Sequence, residues 1–364
     1  MEVDVAIFGD GPAGCAIALR LARYQRTAAI LQRAARRGVS IGETLSPTIR
    51  APLSELEMWS RFLHSGHAQS YELRSAWGSP RLLVKNSIFD PFGPSWHVDR
   101  ARFDADLLDA AQERGSVLVS YTHLGNLAYT DGNWDVLLGD GHHVRAHFLV
   151  DATGRACALA RRLGARRERY DRLIALVAFS ACDSSPAMDN ATLIEAGPEG
   201  WWYSAVLPSQ QMVVAYMTDN DLLPSDHADW RTHMLAHLGA THATRERFPL
   251  DTLPARLHVF AANSSRLDDG TGDGWLAAGD ALAAYDPLCG WGVPRALHSG
   301  IQAADAIHLH LSGDDRPLRA YASSRSPFDH YLDTRDAYYS MEQRWASSRF
   351  WQRRTHRVAA VQGG

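Results

Sequence analysis

The chain has 364 residues, 46% hydrophobic and 21% charged, an ordinary globular balance with ample length for one large or two moderate domains. Its net charge of −4 gives no polyanion-binding footprint, so neither nucleic acid nor an acidic membrane surface is an expected partner. Cys15, Cys157, Cys182 and Cys289 lack CxxC spacing, so neither a metal site nor a disulfide framework is expected; the acidic start and the lack of a ~20-residue apolar span argue against a signal peptide or membrane helix and for a cytoplasmic protein.

Residues 3–8 form a short apolar, partly β-branched run that predicts a buried parallel strand. The run leads into Gly9-Asp10-Gly11-Pro12-Ala13-Gly14, then a helix-forming stretch over 15–24 and a second strand over 27–31. Strand, glycine turn, helix, strand is the order in which GxGxxG binds a dinucleotide. Gly9 permits the tight turn, Gly11 lets the backbone approach a pyrophosphate, and Gly14 allows helix and strand to pack closely. The helix N-terminus then supplies free N–H groups and positive dipole. After the second strand, where an acidic residue usually grips the ribose, stand Gln32 and Arg33. Glutamine can accept a hydrogen bond but carries no charge, which predicts looser adenosine binding.

Further elements follow in order. A helix is expected over 107–112, then strands over 117–129 and 134–144 joined by the turn Asp131-Gly132-Asn133. Residues 149–154 read as a strand ending in a small-residue turn at Gly154. Strands are expected over 173–180, 191–195, 201–207 and 212–218, then loop and helix over 219–243. Alternation in the third of these puts Trp201, Tyr203 and Ala205 on one face and Trp202 and Ser204 on the other. The strand in Trp275-Leu276-Ala277-Ala278-Gly279-Asp280-Ala281 delivers a carboxylate. Asp286-Pro287-Leu288-Cys289-Gly290-Trp291-Gly292 then leads into a helix over 293–311 that starts at Val293. Glycines before a helix expose N–H groups that favour negative charge, as at the pyrimidine edge of a reduced flavin. Residues 316–364 read as helical, with fraying expected from Arg353.

Taken together, the glycine turn, "DATGR", "GDA" and "DPLxGxG" resemble the group A flavin monooxygenase superfamily with the para-hydroxybenzoate hydroxylase fold. The segment Gly42-Glu43-Thr44-Leu45-Ser46-Pro47 resembles its tryptophan halogenase branch. Trp96-His97-Val98-Asp99-Arg100-Ala101-Arg102-Phe103-Asp104 resembles the "DRxxFD" helix start, whose first arginine lies close to FAD; 338–345 and 350–354 also look like this branch. The resemblance spans nearly the whole chain. It implies an α/β fold: a Rossmann-like FAD-binding domain over 1–58, 97–165 and 268–315, an inserted mixed β-sheet substrate domain over 59–96 and 166–267, and a C-terminal helical region over 316–364. The implied FAD contacts are Gly9, Gly11, Pro12, Ala13, Gly14, Gln32, Arg33, Glu43, Thr44, Arg100, Gly154, Gly279, Asp280, Pro287, Gly290, Trp291, Gly292 and Val293.

A halogenase of this branch places a lysine between flavin and substrate. The chain has one lysine, Lys85, and its neighbours do not resemble that segment, which suggests an exposed strand end. The halogenase GWxWxIP is also altered, to Gly200-Trp201-Trp202-Tyr203-Ser204-Ala205-Val206-Leu207-Pro208. Halogenation is therefore disfavoured, and the chain looks most like the LodB/GoxB-type flavoproteins that mature quinone cofactors. The resemblance implies a monooxygenase in which reduced FAD and molecular oxygen give a C4a-hydroperoxide. Its oxygen would pass to an electron-rich aromatic small molecule or a tryptophan within a protein or peptide. NAD(P)H or a separate flavin reductase would supply electrons. Trp96, Trp201, Tyr203 and Trp291 are the candidate substrate pocket, with core packing the alternative for each, and Glu43 and His97 the candidate acid/base groups. Alternatives are a reductase of the geranylgeranyl reductase type and a non-catalytic flavin-binding chaperone. At a helix N-terminus the Cys289 thiol is expected to acidify.

Overall fold

The computed structural model describes residues 1–34, 39, 41–181, 190–323 and 326–361, with backbone only for 322, 323, 326 and 356–361; Cys182 and the end of the tail lie outside it. The first strand, Glu2–Phe8, sits inside an eight-stranded sheet, paired in parallel with Ala28–Arg33 on one side and His143–Asp151 on the other. Val117–Tyr121 extends the parallel run beyond Ala28–Arg33, and Trp275–Ala277 extends it beyond His143–Asp151. Helices cover both faces of such a sheet, so its strands are apolar throughout rather than alternating; Val5, Ala6, Ile7 and Phe8 are all buried. The helix Pro12–Arg23 packs with Gly292–His310 over one face, and Gly300 abuts the backbone of Ala13 there.

Two expected strands are each divided in two. Residues 117–129 break at Thr122-His123 into Val117–Tyr121 and Leu124–Thr130, and the second piece turns away to pair with Asn133–Leu138. The other break falls at Gly139-Asp140-Gly141, a turn with Gly141 at φ +88, from which His143–Asp151 re-enters the sheet.

A second sheet has seven strands in the order His258–Ala261, Leu173–Ala181, Gln211–Asp219, Gly200–Val206, Thr192–Gly197, Glu72–Ala76 and Leu83–Asn86. It is antiparallel except where Thr192–Gly197 pairs in parallel with Glu72–Ala76. The alternation of Gly200–Val206 divides its aromatics. Trp201 joins one apolar cluster with Trp351 and Tyr339, while Trp202 faces the other way and stacks on Tyr216 at 4.6 Å.

The C-terminal region forms the helices Arg316–Ser323, Ser326–Ser340 and Arg349–Val361, the last remaining helical past Arg353 rather than fraying there. Buried Arg354 anchors it, donating to the Asp219 carboxylate at 2.7 Å and lying over the Phe350 ring.

Candidate functional site

Between the two sheets lies a cavity of about 800 Å³, walled on one side by the glycine turn and on the other by Gly200–Val206 and its neighbours. The three turn glycines have different physical duties. A Cβ on Gly9 (φ +116) would collide with the Ala152 carbonyl, and one on Gly14 would collide with the Gly9 carbonyl. Gly11 has nothing within 4 Å of its missing side chain: its backbone faces open cavity. Gly11 also caps the helix Pro12–Arg23 without a side-chain hydrogen bond, so the first-turn amides there are free for an anion. A second helix opens the same way: Gly292–His310 begins without a side-chain cap beside Gly290, and Pro287, Gly290, Gly292 and Val293 line the cavity.

Several other residues named from sequence also line it: Pro12, Ala13, Arg33, Glu43, Thr44, Arg100, Gly154, Asp280, Trp201 and Tyr203. Others do not. Gln32 turns its amide to the Asp10 carboxylate, and Asp10, not Gln32, lines the cavity. Gly279 (φ +59) lies behind the lining, where a Cβ would press on that of Ala13; it serves close packing of the Gly292–His310 helix. Trp291 caps that helix with 46% of its surface exposed, outside the cavity. Trp96 is core instead: its ring meets Phe62 at 5.1 Å and Trp59 at 5.9 Å, both edge-on. His97 is fully buried and connects to the cavity through a chain of hydroxyls. Its Nε2 lies 2.9 Å from the Thr192 hydroxyl, which is 3.4 Å from that of Thr44, in turn 2.6 Å from the Tyr203 hydroxyl.

Glu43 is the best-placed acid/base group. It is 4% exposed, its Oε2 accepts from the Gly42 amide at 3.0 Å, and its Oε1 has no hydrogen-bond partner among the described residues. Burial pushes its carboxyl above the usual carboxylate range, opposed by the nearby Arg100 guanidinium. Arg100 is held by the Ile41 carbonyl and, at 3.1 Å, by Asp104, while its buried Nε has no partner among the described residues. Orphaned buried polar atoms are rare in a folded protein, and here two of them belong to residues lining one cavity. Free amides at two helix starts, the Asp280 carboxylate and the Arg100 guanidinium fit a phosphate-bearing, hydrogen-bonding ring system such as FAD.

A second buried chain escaped the sequence reading. Trp201 donates its indole N–H to the Tyr339 hydroxyl at 2.9 Å, and that hydroxyl donates to Asp286 at 2.8 Å. Burial, then neighbouring Asp171, pushes the Asp286 carboxyl up to about 6. "DPLxG" flags Asp286, but its partner stands 53 residues later on another helix. The expected acidification of Cys289 is reversed, because burial pushes its thiol up to about 12 and outweighs the helix start. Lys85 is exposed at the sheet edge, as expected, yet it also lines the cavity mouth with Tyr71, Leu73 and Ser87.

Residues 2–334 match the family described as FAD binding domain. The chain belongs to that family. LodB of Marinomonas mediterranea, an FAD-dependent oxidoreductase by name, is 30% identical over 366 residues, 99% of this chain and 98% of that one. The 1H-pyrrole-2-carbonyl-[peptidyl-carrier protein] brominase of Pseudoalteromonas luteoviolacea is 27% identical over 88% of this chain and 80% of its own length. Among solved structures, the myxobacterial chondrochloren halogenase CndH superposes with a TM-score of 0.84 at 21% identity, covering 99% of this chain and 89% of that one. The peptidyl tryptophan dihydroxylase QhpG superposes with a TM-score of 0.79 at 24% identity, over 97% and 79%. This FAD-family chain is accordingly an α/β oxidoreductase, and among its described residues no helix is long and apolar enough to cross a membrane.

Proposed function

We propose that this protein is an FAD-dependent monooxygenase that adds oxygen to an electron-rich aromatic ring, with a tryptophan side chain in a peptide or protein as substrate. The observation that carries this reading is the apolar and aromatic part of the cavity lining. Trp201, Tyr203, Ile194, Val213 and Met217 form it, beside the partnerless oxygen of Glu43. The likeness to LodB, and to QhpG with its printed action on peptidyl tryptophan, supports the same substrate class.

The chemistry supplied at this site by a bound, reduced FAD would be two electrons for dioxygen cleavage, with one oxygen atom for the ring and the other for water. Gly9, Gly11, Pro12 and the start of the Pro12–Arg23 helix would hold the pyrophosphate, Asp280 the ribityl chain, and the 287–293 loop the isoalloxazine. The apolar strands lining the cavity would exclude water from the reacting ring. Trp201 is fixed by its hydrogen bond to Tyr339, so that wall is rigid where the substrate packs. Glu43 Oε1 is free to accept the substrate's ring N–H and to take up the proton released as the ring is oxygenated. Reducing equivalents would come from NAD(P)H or a partner reductase.

The test is to reduce the FAD-loaded chain, admit oxygen in the presence of a tryptophan-containing peptide, and follow peptide mass. A gain of oxygen atoms on the indole supports the reading; reoxidation of the flavin with unchanged peptide overturns it. A second reading, halogenation, is favoured by the position of Lys85 on the cavity mouth and by the brominase relative. Bromide added to the same assay separates the two, because a halogenase would give a brominated product that Lys85→Ala loses.

A further inference from the structure

On the far side of the seven-stranded sheet from the cavity, the helix Trp230–Gly239 carries His233 and His237, four residues apart and therefore on one helix face. Their rings lie 4.4 Å apart. Facing them is Glu199, in the tight turn between Thr192–Gly197 and Gly200–Val206, and its carboxylate is 3.5 Å from His237 Nε2. One ligand atom from each of the three residues falls within 4.8 Å of the other two. We propose that Glu199, His233 and His237 form a binding site for a single transition-metal cation, zinc in the first instance, separate from the flavin cavity.

Four observations carry this. First, His233 Nε2 is shut off from water and has no hydrogen-bond partner among the described residues, a cost that a metal ligand bond would remove. Second, two imidazoles and one carboxylate are a borderline donor set that suits zinc, cobalt or nickel rather than calcium or magnesium, and they leave a fourth position for water. Third, tetrahedral bonds of about 2.0–2.1 Å place donors roughly 3.4 Å apart, so closure needs side-chain movements on the order of 1 Å and no backbone change. Fourth, the turn bearing Glu199 is already pinned. Its carbonyl accepts from the Thr218 hydroxyl at 2.7 Å and the Tyr216 hydroxyl at 3.1 Å, and a Cβ on the following Gly200 (φ +155) would strike the Met217 carbonyl.

None of the three residues lines the flavin cavity. The cation would tie the Trp230–Gly239 helix to the strand turn beneath it and stabilise the sheet that carries Trp201 and Tyr203. Cysteine spacing, the basis for expecting no metal from sequence, is blind to this trio, which contains no cysteine.

The experiment uses the flavin-loaded full chain without a histidine tag, treated with chelator and titrated with Zn²⁺ by calorimetry, then with Co²⁺ by visible absorption. One equivalent of Zn²⁺, a tetrahedral Co²⁺ spectrum that Zn²⁺ abolishes, and a raised unfolding temperature are expected. His233→Gln and His237→Gln should each weaken binding at least tenfold, and Glu199→Gln should weaken it too, with flavin content unchanged as the check on folding. Failure of the unaltered chain to bind stoichiometric Zn²⁺, or binding that survives in the double histidine variant, overturns the proposal. If a histidine variant does not fold, the Co²⁺ spectrum of the unaltered chain decides by itself.

Discussion

The carboxyl groups of Glu43 and Asp286 are both buried and both displaced upward, yet they differ in what surrounds them. Glu43 faces the cavity with one oxygen free, whereas Asp286 also lines it but is engaged by the Leu288 amide and the Tyr339 hydroxyl. Glu43→Gln keeps the shape and removes the proton exchange. It should leave FAD binding near normal while slowing substrate oxidation by about 10²–10⁴-fold, read in single-turnover mixing of the reduced protein with oxygen and peptide. For Asp286 the effect is on stability. Its folded pKa of about 6 lies above the ordinary aspartate value of 3.8, so the folded state holds the extra proton between those two pH values. Stability from this group is therefore fullest below pH 3.8 and is lost as pH rises through about 6. Asp286→Asn, which can still accept from the Leu288 amide, should flatten that slope. Relative to the unaltered chain it should gain up to about 3 kcal/mol between acid and neutral pH, measured by urea unfolding across the range.

Elements explain why some of the site was legible in sequence and some was not. The glycine turn was readable because its demands are local. Gly9 and Gly14 answer to backbone within a few residues or on the adjoining strand, and the open space at Gly11 follows from the same turn. That difference is testable: Gly14→Ala should cost about 3 kcal/mol of stability by forcing a clash. Gly11→Ala should fold normally and weaken FAD binding about tenfold or more, seen by flavin fluorescence titration. The two-residue period of Gly200–Val206 likewise separated Trp201 from Trp202 without any tertiary information. Trp202→Ala, on the face away from the cavity, should cost roughly 3–5 kcal/mol in denaturant unfolding. What could not be read were pairings fixed only by the fold: Trp201 with Tyr339 across 138 residues, His97 with Thr192 across 95, and the turn of Gln32 toward Asp10. Trp96 and Trp291 show the same limit, since a motif places a residue near a site without saying which way its ring points.

At the scale of the whole molecule, the cavity is walled jointly by the parallel sheet and the seven-stranded sheet, so a ligand filling it is gripped by both. Binding of FAD should raise the unfolding temperature in proportion to the logarithm of its free concentration, and the two sheets should unfold in one step when it is bound. Calorimetry of stripped and reloaded protein reads this directly; a transition unmoved by FAD would show that the folded chain does not bind it. The sheet order is only partly foreseeable, because Glu72–Ala76, which carries Leu83–Asn86 on its other side, pairs with Thr192–Gly197 more than a hundred residues downstream. That long-range addition brings the chain's single lysine to the cavity mouth. An amine-selective dye has, beyond the terminal amine, one place to attach, and there it stands guard over the opening. Its fluorescence would then report each arrival and departure of substrate without any engineered cysteine.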